Sequence, residues 1–342
     1  MTDQLDITAD GHLGYIALDR PKAINALSLE MIEGISAVLG RWRDDRAIGA
    51  VLFTGRGERG FCAGGDVRAA RTNVIDGRPE AADAYFAAEY AMNRTIAAYP
   101  KPLVALTHGI VMGGGIGIAG HCRYRLATTD CRYAMPEAAI GFFSDVGVNA
   151  ILAHAPVGRA LLFLMSGTTV GTADALALGL ADAAIAPARV EPICATLVAA
   201  AGARDPNAAI VALMESESIF AGDAGLTALA DQFPASVPES PHALLESVAA
   251  IPALAASSSL LATRSPTSLT AIFHAHLAAR RLMDVGRTLD MDLRLAALMA
   301  RQPDFAEGVR AVLVDKDQAP KWSPARLSEV DAGAILEAVK AA

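Results

Sequence analysis

The feature that most narrows the fold is an apolar run, Leu103-Val104-Ala105-Leu106-Thr107, that leads into glycines at 113, 114, 115, 117 and 120. Gly115-x-Gly117-x-x-Gly120 satisfies the dinucleotide-binding fingerprint and follows a predicted strand. Three consecutive glycines supply that match by chance. The segment also comes after at least two strands instead of opening a first βαβ unit. The acidic residue some 20 positions on, Glu137, follows a proline in a loop and does not end a second strand. A dinucleotide site is therefore set aside. Two other uses remain for such a turn. It can be a tight connection that lets a helix pack on a strand. It can also bring the backbone close to a ligand, with the free N–H groups of a following helix facing negative charge. An acyl-transfer enzyme needs the latter to hold a developing oxyanion.

Around this segment, short apolar runs alternate with helical patterns. Gly14–Leu18, Ala50–Gly55, Leu103–Thr107 and Arg125–Thr128 read as strands, and Ser28–Leu39 and Ala81–Ala98 as helices, Ser28 being a candidate N-cap. Strands separated by helices imply an α/β layer architecture with parallel pairing. From about residue 200 the strand signals stop. Leu269–Met283, Leu289–Ala300 and Phe305–Val314 are the clearest helices there. The chain thus divides by texture into a 1–210 α/β core and a mainly helical 211–342 region.

A chain of 342 residues with 53% hydrophobic and 19% charged residues is globular. Its net charge of -8 speaks against a nucleic-acid partner, which usually demands a basic face. The most apolar stretch is broken by Thr107, His108 and glycines, so no membrane span is expected. Cys62, Cys122, Cys131 and Cys194 form neither a CxxC pair nor a zinc spacing and read as reduced thiols. The N-terminus carries Asp3, Asp6 and Asp10 without an apolar core, unlike a signal peptide. Together these point to a cytoplasmic protein. His108, His121 and His154 have no ligand spacing, so no metal is expected.

Three segments then carry a resemblance. Arg20-Pro21-Lys22-Ala23-Ile24-Asn25-Ala26-Leu27-Ser28, Phe61-Cys62-Ala63-Gly64-Gly65-Asp66, and His108-Gly109 through Met112-Gly113-Gly114-Gly115 resemble, in order, the signatures of the crotonase, or enoyl-CoA hydratase/isomerase, superfamily. The resemblance implies a crotonase-like spiral core of repeated ββα units. It also implies an acyl-CoA substrate, with the backbone N–H groups of Gly65 and Gly114 as the oxyanion hole. Within the superfamily, Ala134–Glu137 and Ile140–Gly147 are similar to the catalytic stretch of the 3-hydroxyisobutyryl-CoA hydrolase family. Ser265–Leu269, Glu307–Asp317 and Pro320-Lys321-Trp322 are similar to its C-terminal half. The likeness runs from about residue 10 to 325. It implies no cofactor beyond the CoA of the substrate, a place in valine breakdown, and an oligomer such as a trimer or hexamer.

The carboxylates separate the reactions. Hydratases of this superfamily use two glutamates around one water; here the first position is Gly117, which has no proton to move. Glu137 is retained and Asp145 is added. The hydrolase resemblance assigns Glu137 and Asp145 as the catalytic pair, and Glu89, Gly114, Glu137 and Asp145 as substrate contacts. Glu137 is then either a nucleophile on the thioester or the base that activates water. Two carboxylates in one apolar site tend to divide into an acid and a base. Each also has an ordinary reading. Glu137 can be solvated, Asp145 can cap a helix starting near Val146, and Glu89 can lie on a solvated helix face. Lys316, Lys321 and Arg310 are either CoA-phosphate contacts or surface cations. Ser144 stands where the hydrolase family usually has proline, and Val148-Asn149-Ala150-Ile151 replaces a stretch richer in glycine with an aromatic residue. The acyl group is accordingly open. Three functions remain in play: hydrolysis of a short 3-hydroxyacyl-CoA, hydratase or isomerase chemistry through Glu137 alone, and acyl-CoA binding without efficient turnover.

Overall fold

In the computed structural model, residues 2–233 and 237–340 are described. Eight strands form: β1 (Leu5–Asp10), β2 (Leu13–Leu18), β3 (Ala50–Gly55), β4 (Leu103–Thr107), β5 (Ile110–Met112), β6 (Tyr124–Thr128), β7 (Arg132–Ala134) and β8 (Ala183–Ile185). Six make one sheet in the order β1-β2-β3-β4-β6-β8, antiparallel between β1 and β2 and parallel elsewhere; β5 and β7 form a small second sheet. The strands read from the apolar runs sit where expected. β4 is buried at all five positions, as a strand covered on both faces must be. β1 was not anticipated, because LDITAD is half exposed and acidic, the pattern of a solvated edge.

The chain divides into two compact units, each assembled from separate stretches. The first is Met1–Gly65, Ala91–Tyr133 and Val170–Ala224; the second is Asp66–Tyr90, Ala134–Thr169 and Gly225–Ala342. This division is not the single cut expected between residues 210 and 211. Texture along a sequence reports local structure, whereas a compact unit is defined by what each segment packs against.

The first unit holds the six-stranded sheet. Leu13, Leu52, Val104, Leu106, Leu126 and Ile185 pack with Ile193, Leu197, Ile210 and Leu213, from the helices Val190–Ala201 and Pro206–Glu217. It also holds α1 (Leu29–Trp42), whose first turn is capped by Ser28: the hydroxyl accepts from Met31 N at 3.2 Å.

The second unit is mainly helical, with α2 (Val67–Ile75) and the first part of α3 (Pro79–Ala97) beside the C-terminal helices. Pro266–Leu282, Val285–Met299 and Pro303–Val309 follow the helical patterns seen in the sequence. Phe142 lies at the middle of its aromatic core, with ring centroids 5.1 Å from Phe86, 5.0 Å from Phe143 and 5.3 Å from Phe305. Such pairs add about 0.5–1.5 kcal/mol each beyond area burial. Among the described residues, no single helix is long and apolar enough to cross a membrane.

Candidate active site

The glycine segments singled out in the sequence lie in the first unit. Asn25 organises it. The residue is fully buried with φ +54°, a left-handed conformation that Asn tolerates better than most residues. Its Nδ2 donates to Arg56 O at 3.0 Å, Gly60 O at 3.2 Å and Phe61 O at 3.0 Å, while Oδ1 accepts from Arg20 N at 2.8 Å. One amide thereby ties the N-terminal signature to the Phe61–Gly65 segment. Cys62 N donates to Ile110 O at 3.1 Å, and Met112 N donates to Cys62 O at 2.9 Å, which aligns that segment with β5. Leu27 N donates to Gly64 O at 2.8 Å in a parallel bridge between Leu27 and Gly65. In that pairing the flanking residues carry the bonds, so the Gly65 N–H is left facing away.

Gly114 is the first residue of α4 (Gly114–His121), so its N–H has no acceptor within the helix. A Cβ on Gly64 would stand 3.6 Å from Gly114 N, so the two segments run side by side. Gly115 enforces the approach, since a Cβ there would meet Cys62 O at 2.6 Å. Cys62 is buried, with its thiol 3.2 Å from Asn25 O.

The candidate carboxylates lie in the second unit, and none of them is solvated. Glu89 is 2% exposed on α3, Asp145 6%, and Glu137 7%. Burial replaces the solvated-face reading of Glu89 and the solvated-loop reading of Glu137. Glu137 starts a 3-10 turn, Glu137–Ile140, closed by Gly141 at φ +71°. The turn is seated on Pro303–Val309 with no room for side chains at two points. A Cβ on Gly141 would overlap Asp304 O, and one on Gly308 would overlap the Ile140 backbone. Asp304 in turn accepts from Ser265 Oγ at 2.6 Å and Ser323 N at 2.7 Å, and Ser265 N donates to Ala138 O at 3.1 Å. The C-terminal motifs are therefore the foundation of the Glu137 turn.

Asp145 does not cap a helix. The next helix, α5 (Val148–Ile151), has Gly147 as its N-terminal cap residue, and no side chain bonds its first turn. The Asp145 carboxylate instead accepts a hydrogen bond from Tyr90 Oη, 2.6 Å from Oδ2.

The three carboxyl groups titrate unequally. Burial raises all of them. Asp145 is pushed up only to about 6, because the Tyr90 hydroxyl and a backbone N–H stabilise its charge. Glu137 and Glu89 are driven well above the usual carboxylate range, by burial first and then by the negative charge of Asp145; the Tyr85 hydroxyl partly relieves Glu89. Glu137 Oε2 and Glu89 Oε1 have no hydrogen-bond partner. Asp145 is therefore the carboxyl of the three whose charge is best supported.

Sequence reasoning missed Tyr90 and a fourth buried carboxyl, Asp292. Asp292 is fully buried, accepts from Gly147 N at 2.8 Å, and is raised well above the ordinary range by burial and by Asp145. The spacing Thr288, Asp292, Leu295, Met299 on the buried stripe of its helix was the available signal. Of the candidate phosphate contacts, Arg310 is already engaged, with Glu307 at 2.9 Å and Asp315 and Asp317 at 2.6 Å each. Among the described residues no cluster of His, Cys, Asp or Glu is arranged for a metal.

Comparison with known proteins accounts for this arrangement. The family model described as enoyl-CoA hydratase/isomerase matches residues 13–339. The chain belongs to that family. It is 36% identical over 333 residues to the mitochondrial 3-hydroxyisobutyryl-CoA hydrolase of Xenopus tropicalis, covering 95% of this chain and 85% of the relative. It is 33% identical to that of Homo sapiens, covering 94% and 84%. The crystal structure of a carnitinyl-CoA dehydratase from Mycobacterium thermoresistibile matches with TM-score 0.88 at 32% identity, covering 99% of this chain and 96% of the other. That of an enoyl-CoA hydratase from Rhodobacter sphaeroides matches at 0.89 and 29%, covering 98% and 97%. The crotonase-family fold and family membership expected from the two glycine segments are thus met. The cytoplasmic expectation is overturned, because the vertebrate relatives are mitochondrial proteins. Reduced thiols do not discriminate between two compartments that both keep thiols reduced.

Proposed function

We propose that this family member hydrolyses the thioester of a short 3-hydroxyacyl-CoA, of the 3-hydroxyisobutyryl type, to the free acid and CoA. A role in valine breakdown goes with that substrate. The observation that carries the reading is the divided carboxyl cluster: the Tyr90 hydroxyl supports the charge of Asp145, while burial and Asp145 push Glu137 toward its protonated form. That distribution suits an acid–base pair on one water better than a direct attack by Glu137, since a protonated carboxyl is a poor nucleophile.

In the proposed reaction Asp145 removes a proton from water as the water oxygen bonds to the thioester carbon. The carbonyl electrons move onto oxygen, to which the Gly65 and Gly114 N–H groups donate hydrogen bonds. Collapse restores the C=O bond and breaks the C–S bond, and Glu137 gives its proton to the departing sulfur. A proton passing from Asp145 to Glu137 resets the pair. Oxyanion donors of this kind are each worth about 10²–10³ in kcat. Buried Glu89 is assigned to contact with the substrate hydroxyl or acyl group.

Hydration of an enoyl-CoA is the second reading, favoured by the dehydratase and hydratase among the similar structures. Against it stands Gly117, buried within α4, at the position where the resemblance places the first of a hydratase's two glutamates. One assay separates the two. Purified protein is given 3-hydroxyisobutyryl-CoA, 3-hydroxypropionyl-CoA and crotonyl-CoA while free thiol and enoyl absorbance are followed separately. Thiol release that disappears in Glu137→Gln is the expected result. Loss of the enoyl signal without thiol release would sink the hydrolase reading, and binding without either change would make this an acyl-CoA-binding homologue.

A further inference from the structure

Two residues in succession after Asp145 have left-handed backbones, Val146 at φ +53° and Gly147 at φ +73°. For a β-branched residue such as Val146 that conformation is strained, by about 1–3 kcal/mol, and persists only where its surroundings impose it. The surroundings are on view. Val148 N donates to Asp145 O at 3.1 Å, and Asn149 Nδ2 donates to Ser144 O at 2.7 Å. A further restraint comes from Val285–Met299, where Asp292 Oδ2 accepts from Gly147 N at 2.8 Å. Asp292 Oδ1 has no partner. A carboxyl group buried to this extent for the sake of one backbone N–H carries a large desolvation cost, and nothing in the helix itself requires it.

We propose that Asp292 is a positioning residue for Asp145: its carboxyl group pins the Val146–Gly147 turn through the Gly147 N–H and so keeps Asp145 against the Tyr90 hydroxyl. This deepens the hydrolase reading and rests on the role given there to Asp145. Asp292 acts in its neutral form. Burial and the charge of Asp145 both oppose its ionisation, while Arg294 on the same helix only partly favours it. The other titratable groups that act on Asp145 are Glu89 and Tyr90 on α3 and Glu137 on its turn, and Pro266–Leu282, the helix against α5, carries His276. His276 is held neutral, with its pKa pushed down to about 3 by burial and by Arg280. A protonated Asp292 can hold the turn without repelling the charge of Asp145.

Two nearly isosteric variants test this. Asp292→Asn keeps an acceptor for Gly147 N–H and removes the ability to ionise; Asp292→Leu keeps the shape and removes the acceptor. The expected result for Leu is a fall in kcat of about tenfold to a hundredfold with KM little changed, as a small misplacement of a catalytic group produces. The acid limb of its kcat–pH profile should move to higher pH, because Asp145 released from Tyr90 loses the bond that lowers its pKa. Asn should restore kcat and leave the limb unmoved. Full activity in Leu, or equal losses in Leu and Asn, overturns the proposal. If Leu does not accumulate as folded protein, Asn alone decides: an acid limb moved to lower pH means that Asp292 was charged, and the proposal fails. The titration of the Asp145 side-chain carbon, followed by carbon NMR in the wild type and both variants, reports the same displacement without turnover. Failure of the hydrolase reading and failure of the pin are in this way told apart.

Discussion

The two units solve opposite problems. In the first, the proposed chemistry belongs to the backbone: Gly65 and Gly114 are assigned as N–H donors, and Asn25 nearby ties the segments together. In the second, the proposed chemistry belongs to side chains: Glu89, Glu137, Asp145 and Asp292 are buried, and neighbouring hydroxyl and N–H groups bias which of them carries charge. A backbone donor cannot be mutated away; it can only be displaced. A buried carboxyl can be neutralised without moving anything. The two halves should therefore fail differently, by geometry in one and by protonation in the other.

The sharpest break is Asp145→Asn. It preserves shape and removes the base, so kcat for thiol release should fall by about a thousandfold, within the range typical of a lost general base, while the protein stays folded by circular dichroism. Gly115→Ala should cost less, about ten- to a hundredfold in kcat, because the added Cβ pushes α4 from Cys62 and misaims the Gly114 N–H without deleting it. Its pH profile should keep the wild-type shape, and a shifted acid limb there would erase the distinction between the two halves. Tyr90→Phe sits between these cases. Removing a hydroxyl that lowers the Asp145 pKa should carry the acid limb of kcat upward from about pH 6 by about one unit, with little loss above pH 8.

The smallest effect is on stability. Folded Asp145 keeps its proton to about pH 6, while the unfolded chain releases it near 3.8, so folding takes up a proton between those values. Stability should fall as pH rises through that window, by about 3 kcal/mol for this group. Glu137, Glu89 and Asp292 extend the decline to higher pH, in the same direction. Thermal unfolding of Asp145→Asn should accordingly show a higher Tm than wild type above pH 6 and converge with it near pH 4. Gly115→Ala should show no such pH-dependent gain.

Much of this was legible in the residues. The parallel strands announced themselves because a strand buried on both faces is a continuous apolar run, and Ala50–Gly55 and Leu103–Thr107 were read to the residue. β1 escaped because an exposed edge strand looks like a polar loop, and β5, β7 and β8 because three residues carry no period. Gly65, Gly114, Glu89, Glu137 and Asp145 were marked by resemblance; burial then removed the solvated readings, and the Tyr90 bond removed the capping reading of Asp145. Asp292 and Tyr90 went unread for a common reason. Each lies in a helix whose neighbours are charged or alanine-rich, and only the three-dimensional stripe turns them inward.

The close seating of Gly141 and Gly308 has a practical consequence for anyone trimming or recombining this chain. The helix Pro303–Val309 is nearly 170 residues from the turn that it supports, yet neither surface tolerates even one extra methyl group. The C-terminal segment is thus not a detachable appendage on a minimal hydratase-like body. Grafting it from a relative would require the Glu137 turn to travel with it as one cassette.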